Sequence, residues 1–183
     1  RNLRELQVAR SWFDELAVSS GNRVLGARQA GWQARYVPFG YHSSMCGPIV
    51  PASEGERDID VLFLGRDVAA RGRRARWLDA FRSGIGSAPN LVVVDGGVYG
   101  RERDALLART RIVVDIHRVP HNSTGLRFLL AAAGGAALVT EESDDDWLPR
   151  RAECVVEVPR TNLAVGVLDL LGDESRRRRL VAA

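Results

Sequence analysis

The chain has 183 residues, 45% hydrophobic and 27% charged, enough to bury one complete core and a fragment of a second but not two full domains. Its net charge of +3 sets 26 basic residues, all of them arginine, against 23 acids; the signs are interspersed, aromatics are sparse and no nucleic-acid motif occurs, which argues against a nucleic-acid binder. Phe128 to Thr140, the longest charge-free stretch after Arg127, is too short for a bilayer span and is broken by Gly134 and Gly135.

Leu3, Leu6, Val8, Ala9, Trp12 and Phe13 recur at roughly helical spacing, predicting a helix over 3–13. The opening RNLRELQVARSWF has no basic patch followed by an apolar run, so it reads as the interior of a longer protein and not as a signal peptide. LAVSS, a helical NRVLGARQAG ending at Gly31, and the strand and turn ARYVPFG follow, making a strand–helix–strand piece without a core of its own. MCGPIVPASEGERD, residues 45–58, carries Gly47, Pro48, Pro51, Ser53 and Gly55 with little periodicity and reads as a linker. The expected division is a terminal piece of an amino-terminal domain with its hinge over 1–50, and one domain over 51–183.

Beyond the linker the pattern becomes regular. Strands are predicted at 59–65, 90–96, 111–116, 136–141 and 153–158, with helices near 71–83, 101–109, 125–134, 161–171 and 173–182. Strands apolar on both faces and alternating with helices specify a parallel sheet covered on each side, a doubly wound, Rossmann-like α/β domain. Its ligands belong beyond the carboxyl ends of the strands, in the loops after 59–65, 90–96 and 111–116. Arg73, Arg74 and Arg76 are expected on the exposed side of a helix whose Ala75, Leu78 and Phe81 face inward. The run Arg176 to Arg179 is expected on a solvated face.

Cys46 and Cys154 give neither a disulfide framework nor metal-ligand spacing, and His42, His117 and His121 lack partners at chelating spacing. A cytoplasmic protein without a bound metal is expected. With no lysine in the chain, every basic contact to a phosphate must be a guanidinium, planar and able to form paired hydrogen bonds.

Two segments can carry chemistry. RIVVDI, the turn HRVPHNSTG and the helix LRFLLAAAGG place Asn122, Ser123, Thr124 and Gly125 at a helix N-terminus. There, unpaired N–H groups and the positive dipole end attract an anion such as a phosphate; the alternative is that Ser123 or Thr124 only caps the helix. FLGRDVAARG leaves the first strand of the domain through Gly65, then presents Arg66 and Arg71 toward the same crevice, an arrangement suited to a diphosphate. His121 can donate to a phosphate or sugar hydroxyl, or serve as a surface residue. AAAGGAA, residues 131–137, reads as a close-packed helix end and not a phosphate loop. Asp144 to Asp146 with Trp147 reads as a surface turn.

In their order along the chain, YVPFG, FLGRDVAARG and STGLRFLLAAAGGAALVTE resemble the carboxyl-terminal half of GT-B glycosyltransferases, in particular the bacterial group 1-like enzymes. The resemblance spans most of the chain from Val37 to Ala183. It implies a nucleotide-sugar donor held by this half, with the acceptor bound largely by a separate amino-terminal domain. Arg66 and Arg71 match the family's basic pair on the donor phosphates, with Arg71 where lysine is more usual. Ser123 to Gly125 match the loop that meets the diphosphate, and Arg127 matches the family arginine on the following helix. Asp95 to Tyr99, DGGVY, falls where the nucleobase commonly lies, or forms a plain turn. The family glutamate three residues beyond the arginine falls at Leu130, which cannot accept a hydrogen bond from a ribose. Glu141 or Glu142 takes that role, or the donor is held differently or weakly.

The resemblance thus implies a metal-independent sugar transfer from a nucleotide-diphosphate-sugar to an acceptor that is a saccharide, lipid, protein or small molecule. The alternative is a catalytically silent module of the same fold. A response-regulator-like domain would want an acidic pair where Gly65 and Arg66 stand, and a reductase would want a GxGxxG turn that FLGRDVAARG lacks.

Overall fold

A computed structural model describes residues 10–40, 42, 49–66, 72–121, 125–143 and 151–183. Of the helix predicted over 3–13, the described part holds a 3-10 turn, Arg10–Trp12. The strand–helix–strand piece forms as expected: β1 (Leu16–Val18) and β2 (Ala34–Tyr36) pair in parallel, joined by α1 (Gly21–Gln29). Contrary to the expectation of a piece without a core, Val24 and Ala27 of α1 bury one another with Trp32 and with Ala34 of β2 in a small cluster of its own, onto which Leu16, Val18 and Tyr36 pack.

The rest of the chain builds one five-stranded parallel sheet. In order come β3 (Ile59–Leu64), α2 (Arg73–Ile85), β4 (Leu91–Val94), α3 (Gly100–Ala108), β5 (Thr110–Asp115) and α4 (Leu126–Ala133). They are followed by β6 (Ala137–Glu141), the short α5 (Arg151–Cys154), β7 (Val155–Val158), α6 (Leu163–Gly172) and α7 (Glu174–Ala182). The strands stand side by side as β4-β3-β5-β6-β7. Alternation along each strand sends its residues to two cores: Val61, Phe63, Ile112, Val114 and Val139 meet Leu78, Phe81, Leu163, Val167 and Leu170 of α2 and α6. Leu62, Val113 and Leu138 meet Leu107 of α3 and Ala131 of α4 on the other face. The fold is the doubly wound α/β sheet expected. Among the described residues no helix is long and apolar enough to cross a membrane.

Three further expectations need correction. The predicted strand over 153–158 begins only at Val155, because Arg151–Cys154 turn as a short helix first. The segment read as a linker is docked over its second half. Ala52 N–H donates to Ala108 O, the Ser53 hydroxyl donates to Glu56 Oε2 at 2.7 Å, and the buried Arg57 guanidinium caps the carbonyls of Thr110 and Gly134. Strand starts and helix ends at this edge expose carbonyls that water cannot reach, and Arg57 supplies the missing donors. The Arg176–Arg179 run is not uniformly solvated, for the same reason. Arg177 is buried, donates to Leu170 O at 2.7 Å and Leu171 O at 2.6 Å at the end of α6, and pairs with Glu54 of the docked segment.

AAAGGAA is a packing device, as its small residues suggested. A Cβ on Gly134 would lie 2.7 Å from Leu107 Cβ, so glycine lets the end of α4 close on α3.

Candidate functional site

The sheet reverses direction at β3: the crossover through α2 puts β4 on one side, and the next crossover puts β5 on the other. The loops leaving β3 and β5 therefore diverge and open a crevice at the carboxyl edge, the place where doubly wound sheets bind ligands. Gly65 and Arg66 leave β3 there, and Gly125 opens α4 after β5. The described parts of the two predicted elements, Gly65 with Arg66 and Gly125, thus flank one crevice from adjacent parallel strands.

Each is shaped by its local sequence. Gly65 N–H donates to Val94 O at 3.0 Å, and a Cβ at this position would lie 2.7 Å from the Phe63 ring, so a glycine is required for the exit. Arg66 is exposed and donates to the Tyr99 hydroxyl. Its side chain crosses Gly96, which has φ 74°, and a Cβ there would stand 3.1 Å from Arg66 Cγ. DGGVY is thus more than a connection, because it braces Arg66 at the mouth of the crevice. On the other flank Gly125 is the N-cap of α4 with φ 72°, a left-handed conformation suited to glycine, and it has no side chain with which to cap the N–H groups of the first turn. Arg71, Asn122, Ser123 and Thr124 lie outside the described residues, as do Cys46, Asp144 to Asp146 and Trp147.

Arg127 ties the flanks together. From the first turn of α4 its Nε donates to Leu64 O at 2.8 Å, and its Nη1 lies 2.9 Å from Asp115 Oδ1 at the end of β5. Leu130, on the same helix, packs against the core beneath α4, so the family's glutamate position is a packing position here. Glu141 ends β6 and is buried, with Oε1 accepting from His117 N–H at 2.9 Å and from Arg73 at 3.0 Å, and Oε2 accepting from a second Arg73 nitrogen. Both of its oxygens are therefore engaged inside the protein. Glu142 is exposed. His121 is exposed with φ 57°, and its carbonyl accepts from the Ser143 hydroxyl at 3.3 Å.

The exposed-face expectation for α2 holds for Arg76 and fails for its neighbours. Arg74 is buried and donates to Ile116 O at 2.9 Å and to Arg66 O at 3.3 Å; Arg73 caps His117 O besides pairing with Glu141. The first turn of α2 crosses the carboxyl edge, where strand carbonyls have run out of ladder partners, and guanidiniums fill that need.

His117, singled out in the sequence only as a non-ligand, lies at the centre of this buried network. It is 1% exposed, its Nε2 lies 2.9 Å from Thr140 Oγ1, and Asp115 Oδ2 stands 4.0 Å from the same nitrogen. Burial pushes its imidazole below the usual histidine range; the carboxylates of Asp115 and Glu141 oppose that and the guanidiniums of Arg73 and Arg127 add to it. The one sequence signal for it is position: an ionisable residue two places beyond the carboxyl end of a continuous apolar strand. Among the described residues no group of three or more His, Cys, Asp or Glu side chains is placed to hold a metal ion.

No protein-family model matches the chain, and no curated protein matches its sequence. Solved structures do share its architecture. TarM superposes over 94% of this chain with a TM-score of 0.62 at 10% identity. The C-terminal domain of a glycosyl transferase group 1 family protein, LpcC from Francisella tularensis, superposes over 78% with 0.51 at 14%, and the GtfA/B complex over 98% with 0.53 at 12%. The chain spans 93% of the LpcC domain but only 39% of the TarM chain and 43% of the GtfA/B chain. Five parallel strands in the order β4-β3-β5-β6-β7, helices on both faces and these superpositions give the chain the fold of the carboxyl-terminal half of GT-B glycosyltransferases.

Proposed function

We propose that the chain is the donor-binding half of a glycosyltransferase that moves a sugar from a nucleotide-diphosphate-sugar to an acceptor. The observation that carries this reading is the placement of Arg66 and the N-terminus of α4 on the two sides of the switch-point crevice. As the sugar departs, negative charge grows on the nucleoside diphosphate. A guanidinium held by Tyr99 on one side, and N–H groups at the positive end of a helix dipole on the other, stabilise that charge without reorganising. Arg71, Asn122, Ser123 and Thr124, outside the described residues, are assigned to the diphosphate by the sequence alone. Because the counter-charge comes from protein groups, the transfer needs no metal. The Asp95–Tyr99 loop forms the wall available to the nucleobase, and the acceptor is bound by a separate domain. The buried, free thiol of Cys154 suits a cytoplasmic setting.

The test is a thermal-shift screen against UDP, GDP, ADP and TDP with their sugars. A ligand at a hundredfold its Kd stabilises by about 2.7 kcal/mol, so one nucleotide series should raise the melting temperature clearly. No shift with any of them at millimolar concentration would remove the reading.

A second reading, a catalytically silent module of the same fold, is favoured by Leu130 packed against the core and by the engagement of both Glu141 oxygens. Donor hydrolysis by the full-length protein separates the two, since a silent module binds without turnover.

A further inference from the structure

On the face of the sheet covered by α2 and α6, a groove of about 540 Å³ lies between α2 and the turn after β7, lined by Arg73, Arg76, Trp77, Ala80, Pro120 and Arg160. Among the described residues Gly65, Arg66 and Gly125 do not line it; it opens beside the crevice described above and shares the loop after β5 through Pro120.

Three of the six lining side chains are guanidiniums, and two of these are held in place from behind. Arg73 is fixed by Glu141 and the His117 carbonyl, and the Arg160 guanidinium stacks 4.7 Å from the centre of the Trp77 ring. Arg76 stands on the next turn of α2 from Arg73 and is exposed. Among the described residues no carboxylate pairs with Arg76 or Arg160. Glu141 pairs with Arg73, which leaves Arg76 and Arg160, among the described residues, as two guanidiniums without a paired carboxylate facing a shared space.

An anion between them removes that repulsion. Guanidiniums arriving from two turns of a helix and from a separate loop suit a ligand whose oxygens point in three directions, as those of a phosphate do, better than the two coplanar oxygens of a carboxylate. Trp77, Ala80 and Pro120 add an apolar wall for the carbon body behind the phosphate, and the volume is that of a small-molecule site. We propose that this groove binds a small phosphate ester of the sugar- or polyol-phosphate type.

The test is calorimetric titration of the whole chain at low ionic strength with inorganic phosphate and with glucose 6-phosphate, free glucose serving as the control. Glucose 6-phosphate should bind and glucose should not. Arg76→Gln and Arg160→Gln should each weaken glucose 6-phosphate about tenfold or more, the loss expected for one charge-assisted contact. Arg66→Ala should leave it unchanged. Because Arg160 also packs on Trp77, Arg76→Gln is the cleaner variant, and equal melting temperatures establish that it folds. Binding of neither phosphate probe, binding that survives both glutamine substitutions, or binding removed by Arg66→Ala overturns the proposal. The outcome is separable from the donor reading: a failed nucleotide screen with intact glucose 6-phosphate binding sinks only the transferase, and the converse sinks only this site.

Discussion

Arg127 Nε donates to the carbonyl oxygen of Leu64 across 2.8 Å, fastening the first turn of α4 to the last residue of β3. The same guanidinium neutralises Asp115 at the end of β5. One side chain therefore sets the width of the crevice between the two strands that flank the switch point, and the position of Arg66 relative to α4 depends on it.

Removing Arg127 should cost stability as well as geometry. Arg127→Met leaves the Asp115 carboxylate, whose side chain is 5% exposed, without its cation and deprives Leu64 O of its donor. A loss of about 2–4 kcal/mol is expected in urea unfolding, and Asp115→Asn combined with Arg127→Met should lose less than the two single changes summed. A loss below about 0.5 kcal/mol would show that the pair does not hold the crevice.

Arg66 should behave in the opposite way. It is exposed, so Arg66→Ala should leave the unfolding midpoint nearly unchanged while weakening nucleoside diphosphate binding by about ten- to a hundredfold. Arg71→Ala should act in the same direction. Unchanged calorimetric affinity in both variants would withdraw the phosphate role. Tyr99→Phe, which removes only the hydroxyl that braces Arg66, should give a smaller loss.

His117 makes stability depend on pH in a definite window. Its folded pKa lies below the ordinary value, so between the two values the unfolded chain takes up a proton that the folded chain refuses. The contribution of the neutral ring is complete above about pH 6.5 and is lost as pH falls below that value toward the folded pKa. Melting temperature should therefore fall between about pH 7 and pH 5, and His117→Gln should flatten that slope. The exposed carboxylates of Asp58, held down by Arg109, and Glu56, held down by Ser53, act below about pH 5, at the lower end of this window. A slope identical in His117→Gln would assign the acid sensitivity to other groups.

The glycines of two helix ends should respond differently to a methyl group. Gly134→Ala pushes a Cβ to 2.7 Å from Leu107 Cβ and 3.0 Å from its backbone carbon, and should destabilise by about 1–3 kcal/mol. Gly172→Ala, at the end of α6, meets nothing within 4 Å and should be neutral or stabilising by up to about 1 kcal/mol. Differential scanning calorimetry of both variants checks the contrast, and equal destabilisation would contradict the packing described for Gly134.

Periodicity made the sheet legible. Runs such as VLFL and IVVD read as strands buried on both faces, and helices between them force parallel pairing, so the layered fold and the loops at the carboxyl ends of its strands follow from residue order alone. Gly65 and Arg66 were readable because a glycine followed by a cation at a strand exit is a local pattern. The fates of the arginines were not. Arg57, Arg73, Arg74 and Arg177 are indistinguishable in sequence from Arg76 and Arg178, yet Arg57, Arg73 and Arg74 cap the distant carbonyls of Gly134, His117 and Ile116, and Arg177 caps that of Leu170 on the preceding helix.

The amino-acid order by itself determined which segments become strand or helix and which strand exits carry charge, because these depend on neighbours within one or two turns. Only tertiary structure decided that Glu141 faces inward to Arg73, that Leu130 packs against the core, that the segment before β3 docks against the sheet's amino edge, and that Arg160 meets Trp77 beside Arg76. Each of these is a contact between groups far apart along the chain, selected by which buried carbonyls and charges were left in need of a partner once the layers had packed.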